Sequence, residues 1–322
     1  MTSAMGPALA QSMEEAVGLY RSHFGIGGVS VQLAGRHSAD VTLVPSLEPF
    51  RIETLVSDIN IRVERVDRLP PPAGRQIFDS GTTWELHGGE AEFQFDFNAA
   101  MFGDRPFKRL LTDRNFRRAT LQMNEDCLAS FPRAVEPLGY PLDELLIMHR
   151  LTQEKAIELH GVGIVGPNGV NNLFVGHSGA GKSTTARLWT SLHKVEILSD
   201  DRIIVRENDR ENVREDNMPD QETQIFMYGT PWHGEAHFAL PQRAPLQRIC
   251  ILEHGQGNIL TRLTRSQAVA ELFARAFVPF HHHEYVDSAL SFLERVACTI
   301  PCYRYSFEPD ERAVERILNF RD

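Results

Sequence analysis

Apolar and polar positions along this chain change period as it proceeds, and each change predicts a different kind of element. Met13, Val17, Tyr20 and Phe24 fall at helical spacing, which predicts a short amphipathic helix over residues 11–24. From about Val29 to Phe97 the period shortens to two, as in residues 51–56, 59–66 and 83–86. His87-Gly88-Gly89-Glu90 separates the last of these from a run at 92–97, and a glycine pair between alternating runs predicts a β-hairpin. Pro70-Pro71-Pro72 marks a loop. The first hundred residues therefore read as a small, mostly antiparallel β unit. Residues 100–140 show only strand-like pieces such as 119–123.

Pro141-Leu142-Asp143-Glu144 then opens a helix expected to run to about Glu154, because proline suits a first turn and acids suit the positive end of the helix dipole. Two strands follow, near 156–165 and 172–175, joined by the turn Gly166-Pro167-Asn168-Gly169. Next come a glycine loop, a helix over 183–193, and a strand over 195–198. A hairpin of 203–205 with 225–228 carries a connection, about 207–223, whose Asp, Glu, Asn and Arg content reads as a surface loop. The remainder predicts a strand at 248–253 and a helix at 266–277 with Val269, Leu272, Phe273 and Phe277 on one face. A helix at 286–297, a strand at 303–307 and a helix at 309–320 complete the pattern. No internal repeat is evident. The break between the β-rich part, residues 1–137, and the α/β part, residues 138–322, is placed in the ambiguous stretch.

Composition narrows the class. The 322 residues suit two average domains. A hydrophobic share of 42% with 24% charged residues is that of a globular protein, which excludes wholesale disorder and small disulfide scaffolds. With 33 Lys and Arg against 43 Asp and Glu, the net charge of −10 argues against nucleic acid as a partner, since phosphate contacts need clustered cations. No apolar run is long enough to span a membrane. The first Lys or Arg is Arg21, so the N-terminus is not expected to be a secretory signal, and a cytoplasmic location is expected. Cys127, Cys250, Cys298 and Cys302 are scattered; the C-x3-C pair around Pro301 has no second pair to complete a zinc site, and reduced thiols are expected. His281-His282-His283-Glu284 is not read as a metal site, because consecutive histidines on a loop cannot all face one ion.

The most informative stretch is Gly176-His177-Ser178-Gly179-Ala180-Gly181-Lys182-Ser183, which matches G-x-x-x-x-G-K-[ST] between an apolar strand and a helical run. Its glycines let successive backbone N–H groups turn toward phosphate oxygens, and the following helix adds its positive dipole end. These residues with Thr184 are expected to hold ATP: Lys182 reaches the β- and γ-phosphates, and Ser183 ligates Mg²⁺. A carboxylate should stand at the end of a neighbouring strand, and Asp200-Asp201 supplies two. The order preferred is Asp200 on the metal and Asp201 as general base, the reverse order being the alternative. His160, on the strand that leads into the turn before the loop, is expected beside the acids. In Gly229-Thr230-Pro231-Trp232-His233-Gly234-Glu235, Glu235 is a candidate further metal ligand and His233 an acceptor-site group, against the reading of a packed turn anchored by Trp232. Arg243, ahead of Arg248, is the candidate for neutralising the transferred phosphoryl group.

The order Leu159-His160-Gly161, then GHSGAGKS, then the LSDDRIIV segment at 198–205 resembles the catalytic domain of HPr serine kinase/phosphorylase and its relatives. The resemblance covers about residues 140–320. It implies an α/β fold, with a phosphoenolpyruvate-carboxykinase-like P-loop core of mixed sheet and helices preceded here by a smaller β-rich domain. It places His160, Lys182, Ser183, Asp200 and Asp201 at the family's motif positions. The family's Glu-x-Arg-Gly signature is absent after the aspartates, and GTPWHGE at 229–235 stands roughly in its place. The expectation is an ATP- and Mg²⁺-dependent kinase acting on a hydroxyl, foremost a serine of a protein or peptide. The alternatives are a nucleotide-hydrolysing switch and a carboxykinase-like or small-molecule kinase. The N-terminal part is expected to recognise the acceptor, and self-association into a homo-oligomer is left open.

Overall fold

The computed structural model describes residues 18–321 apart from 90, 91, 104, 130, 132–134 and 209–223. The chain divides into two compact units: among the described residues one contains 18–25 and Val29–Asp143, the other the tripeptide Ile26–Gly28 and the residues from Glu144 onward.

The first unit is built on an 8-stranded sheet. Its strands are β1 (Tyr20–Ile26), β2 (Val29–Gly35), β3 (Ile59–Val66), β4 (Arg75–Asp79), β5 (Trp84–Gly88), β6 (Glu92–Phe97), β7 (Lys108–Asp113) and β8 (Arg118–Asn124), followed by the helical turn α1 (Glu125–Leu128). Their order across the sheet is β1-β2-β3-β8-β7-β6-β5-β4. The run from β4 to β8 is antiparallel, and it includes the β5–β6 hairpin expected from the glycine pair. The β2–β3 and β3–β8 pairings are parallel, so the sheet is mixed. Across β6 and β7, Asp96 faces Arg109, and both are buried in a two-pronged ion pair at 2.6 and 2.7 Å.

Two expectations for this unit are corrected. Of the helix expected at 11–24, residues 11–17 lie outside the described residues, and the rest is strand β1. Tyr20 and Phe24 are four apart, a spacing that shares one face in a helix and in a strand alike. The set that decides is Ser22, Phe24 and Ile26, buried at period two. Residues 51–56 alternate as a strand would but form none beyond one bridge from Arg51 to Phe24, and Leu55 and Val56 lie exposed. Alternation without a neighbouring ladder leaves the backbone to water.

The second unit contains α2 (Leu142–Leu151, from Glu144), β9 (Ala156–Val165), β10 (Asn171–Val175), α3 (Lys182–Leu192), β11 (Glu196–Ile197), β12 (Arg202–Glu207), β13 (Ile225–Gly229) and β14 (Arg243–Pro245). After these come β15 (Arg248–His254), β16 (Ile259–Arg262), α4 (Arg265–Phe273), β17 (Ala276–Phe277), α5 (His283–Thr299), β18 (Cys302–Phe307) and α6 (Glu311–Leu318). The 10-stranded sheet runs β14-β13-β12-β9-β10-β15-β18-β16, with β11 and β17 also paired to β9. β10, β15 and β18 are mutually parallel, whereas β9 is antiparallel to every strand it meets. The protein is thus mixed α/β with two mixed sheets.

Both faces of the second sheet are covered, which is why its central strands read as continuous apolar runs. Side chains alternate between two cores. Leu173, Val175, Ile249 and Ile251 point to one, with Leu272 of α4 and Phe292, Leu293 and Val296 of α5. Phe174, Cys250 and Leu252 point to the other, with Ala186 and Trp189 of α3 and Val314 and Ile317 of α6. The helix expected at 266–277 stops at Phe273, because Ala276 and Phe277 gain a ladder with Leu159 and Glu158 instead. Most of the expected 207–223 loop, residues 209–223, lies outside the described residues. All four cysteines are free thiols, with Cys298 exposed and the others buried. Among the described residues no helix is long and apolar enough to cross a membrane.

Candidate functional site

The site is organised by the middle of β9. On one side Gly161 of β9 pairs with Val175, the last residue of β10, and Gly176 N–H donates to the His160 carbonyl at 3.2 Å as the chain leaves the sheet. On the other side His160 pairs with Arg202, the first residue of β12. The glycine-rich loop and the acid pair are therefore attached to opposite edges of the same strand, at the same level.

The loop is shaped by backbone that only glycine adopts freely. Gly181 has φ +100°, and a Cβ there would stand 2.9 Å from Cε1 of Phe307. Ala180 N–H closes a turn onto the His177 carbonyl at 3.1 Å, and Thr185 N–H and Oγ both return to the Gly181 carbonyl. Lys182 opens α3, and its ammonium donates to the carbonyls of Gly176 and His177 at 3.0 and 2.9 Å. It thus lies across the mouth of the loop. Burial pushes Lys182 down to about 8, opposed by Asp201 and Asp200 and assisted by Arg202 and Arg275. His177 and Ser178 are exposed, Ser183 is half-buried and Thr184 is exposed at the first turn of the helix. His254, at the end of β15, lies 2.7 Å from the Gly179 carbonyl.

A β-bulge presents the acids. Five residue steps separate Ile197 from Arg202, whereas their partners Ile164 and His160 on β9 are four apart, so one extra residue is accommodated between them. The two adjacent carboxylates diverge, as neighbouring side chains of extended backbone do. Asp201 Oδ1 pairs with His160 Nε2 at 2.9 Å and its Oδ2 with the Arg202 guanidinium. Burial would raise the Asp201 carboxyl; the His160 hydrogen bond and the charges of Arg202 and Lys182 outweigh it and hold the group below the usual carboxylate range. Asp200 is 1% exposed and turns the other way. Its Oδ1 accepts N–H bonds from Gly234 at 3.0 Å and Phe238 at 3.2 Å, and its Oδ2 accepts from Ala236 at 2.8 Å. A Cβ at Gly234 would stand 2.9 Å from Asp200 Oδ2, so glycine there permits the approach.

The segment 229–238 is laced to the bulge further. Thr230 Oγ donates to the Arg202 carbonyl at 2.8 Å, Ser199 Oγ to the Trp232 carbonyl at 3.2 Å, and Leu240 N–H to the Leu198 carbonyl at 2.8 Å. Trp232 is buried, while His233 and Glu235 are exposed. The His233 ring sits 4.7 Å from that of His237, and Arg187 of α3 donates to the Glu235 carbonyl at 3.4 Å.

Behind Asp201 lies a buried acidic network. Arg202 Nε pairs with Glu144 at 2.7 Å and stands 3.4 Å from Glu158, while its guanidinium lies 4.0 Å from the Phe277 ring centre. Glu158 is fully buried; burial and the neighbouring Glu144 carboxylate raise its pKa well above the usual range and favour the protonated acid.

The structure brings His160, Asp201, Lys182 and the loop together, and it seats Asp200 beside them with its carboxylate on the 234–238 backbone. Arg243 is not brought in. It lies on edge strand β14, four strands from β10 and thus roughly 19 Å across the sheet, with its guanidinium over Phe226 and bonded to Tyr228. Arg248 pairs at the far end of β10, against Asn172, and donates to the carbonyls of Ile317 and Phe320. Among the described residues no group of three or more His, Cys, Asp or Glu could hold a metal ion, and His281 instead faces His149 at 5.1 Å.

Sequence reasoning missed Arg202, Glu158 and Arg275. For Glu158 a signal existed, since it is two residues before His160 and shares its face of the strand. Arg202 directly follows the acid pair. Arg275 carries no local signal, because only the β17–β9 pairing brings it to the site. No protein-family model and no curated protein matches the chain.

Proposed function

We propose that this chain is an ATP- and Mg²⁺-dependent kinase that transfers the γ-phosphoryl group to a hydroxyl, foremost a serine of a protein or peptide. The observation that carries the reading is Asp201, fixed by His160 and Arg202 on the strand pair beside a glycine-rich loop whose lysine it faces electrostatically. Strand, glycine loop and helix stand in the order of a phosphate-binding loop, and the HPr-kinase-like core is the fold reading that goes with it.

The reaction forms a bond from the acceptor oxygen to the γ-phosphorus and breaks the bond from that phosphorus to the β–γ bridging oxygen, leaving ADP. Asp201 accepts the hydroxyl proton as the new bond forms. His160 and Arg202 hold its carboxylate in place, and their charge interactions keep it ionised and ready. Lys182 swings from its two carbonyls to the β- and γ-phosphates, where loop N–H groups share the charge. Catalysis is therefore positioning plus electrostatics.

The donor set suits magnesium held in the way usual for this ion, by few protein groups with retained waters. Ser183, half-buried at the first turn of α3, would supply the hydroxyl, with water keeping the remaining positions. Asp200, expected as the metal carboxylate, is better read as the anchor of residues 234–238, because three of its roughly four lone-pair positions are already taken. When bound, magnesium would supply charge neutralisation of the transferred phosphate.

The test is incubation with γ-labelled ATP and a host lysate. Label in a polypeptide supports the reading, label in a small molecule moves the acceptor class, and release of free phosphate alone refutes the transferase. Asp201→Asn should abolish transfer and leave ATP affinity within about threefold; joint loss of binding and activity would overturn its assignment as base.

A further inference from the structure

Arg275 follows α4 and immediately precedes β17, whose pairing sets Ala276 against Leu159 and Phe277 against Glu158. Its carbonyl accepts the His160 N–H at 2.9 Å, so the residue is fastened to the strand that organises the site. The side chain is 5% exposed. Nη1 donates to Glu271 Oε2 at 2.6 Å and to the Glu271 carbonyl at 2.8 Å, which commits both of its hydrogens. Nε is buried and has no acceptor among the described residues. Buried donors are almost always paired, so an unmet N–H on a guanidinium beside a charged loop marks a place for an acceptor.

The charge of that guanidinium is felt at the loop. Its charge is the largest cause of the lowered His177 pKa, and it acts on Lys182 as well. Its neutralisation by Glu271 is incomplete, because Glu271 also pairs with Arg304 at 2.8 Å. Arg275 therefore keeps net positive charge and an unmet N–H close to the loop, on a residue that stands directly opposite His160 where β17 meets β9.

Resting on the kinase reading, we propose that Arg275 contacts the γ-phosphate and makes the loop selective for a nucleoside triphosphate over a diphosphate. The inner phosphates are enclosed by loop N–H groups and Lys182 whichever nucleotide binds. The terminal phosphoryl alone must approach Asp201 to meet the acceptor, and that side is where Arg275 is fastened. A planar guanidinium donates to two phosphate oxygens at once, which an ammonium cannot do.

The experiment is equilibrium titration of the full chain with fluorescent ATP and fluorescent ADP, both with Mg²⁺. The wild type should prefer ATP. Arg275→Met should weaken ATP about 10- to 100-fold, the scale of charge-assisted hydrogen bonds, while ADP affinity stays within about threefold. ADP binding thus serves as the check that the site is folded. Arg275→Lys keeps the charge without the fork and should lose about three- to tenfold for ATP alone, which carries the test if the methionine variant does not fold. Equal weakening of both nucleotides, or of neither, overturns the assignment. A wild type that binds neither nucleotide overturns the kinase reading itself, an outcome distinct from failure of the Arg275 role.

Discussion

Asp200→Asn asks what the first of the two aspartates does. In the native site its Oδ1 accepts two backbone N–H bonds and its Oδ2 a third, from Gly234, Phe238 and Ala236. The asparagine amide keeps its oxygen for Gly234 and Phe238, but its NH₂ then meets the Ala236 N–H, donor against donor. One charge-assisted bond of roughly 1.5–3 kcal/mol is lost, and the two survivors fall to neutral strength, about 1 kcal/mol weaker each. The loop 234–238 should therefore open more easily by about 3–5 kcal/mol. At about 1.4 kcal/mol per tenfold, hydrogen exchange at Ala236 and its neighbours Gly234 and Phe238 should accelerate by about two to three and a half orders of magnitude, without nucleotide or Mg²⁺. Exchange is the right assay because a chain of two units need not unfold in one step. Unchanged protection at these three amides in the metal-free protein would refute the anchoring role and return Asp200 to the metal.

Lys182, pushed down to about 8 by burial, must take up a proton to grip phosphate once the pH exceeds that value. ATP affinity measured by titration should be flat below pH 7.5 and fall by up to about tenfold per pH unit above 8, and Lys182→Arg should remove the fall, since guanidinium stays charged there. Arg109→Leu strands buried Asp96 without its partner and should cost the first unit roughly 3–5 kcal/mol, read as faster exchange along β6 and β7. The double change with Asp96→Leu should recover most of that loss; no recovery would show that the pair matters for more than charge compensation.

Local rules carried the sequence far where one segment settles its own conformation. The Pro-Asn-Gly turn between β9 and β10, the glycine pair between β5 and β6, and the glycine loop before α3 each depend on backbone preferences within a few residues. They could be read without knowing any neighbour. Residues 20–24 could not, because a spacing of four serves a helix and a strand equally, and only a partner strand decides between them. Residues 51–56 show the same limit from the other side: their alternation found no ladder to join.

At the candidate site the sequence identified the chemistry-bearing types, a lysine after glycines, adjacent aspartates and a strand histidine. It could not say which aspartate turns toward the histidine. That depends on a one-residue mismatch between β9 and the chain running from β11 into β12, a property of register rather than of either strand. Nor could it choose the arginine: Arg243 stands between prolines in the sequence, yet four strand spacings separate it from β10, while Arg275 arrives through a two-residue strand far along the chain. Short-range sterics are written in neighbouring residues, but the direction of a charged side chain is fixed by which backbone edges pair across the sheet, and that pairing is a balance of burial over the whole second unit.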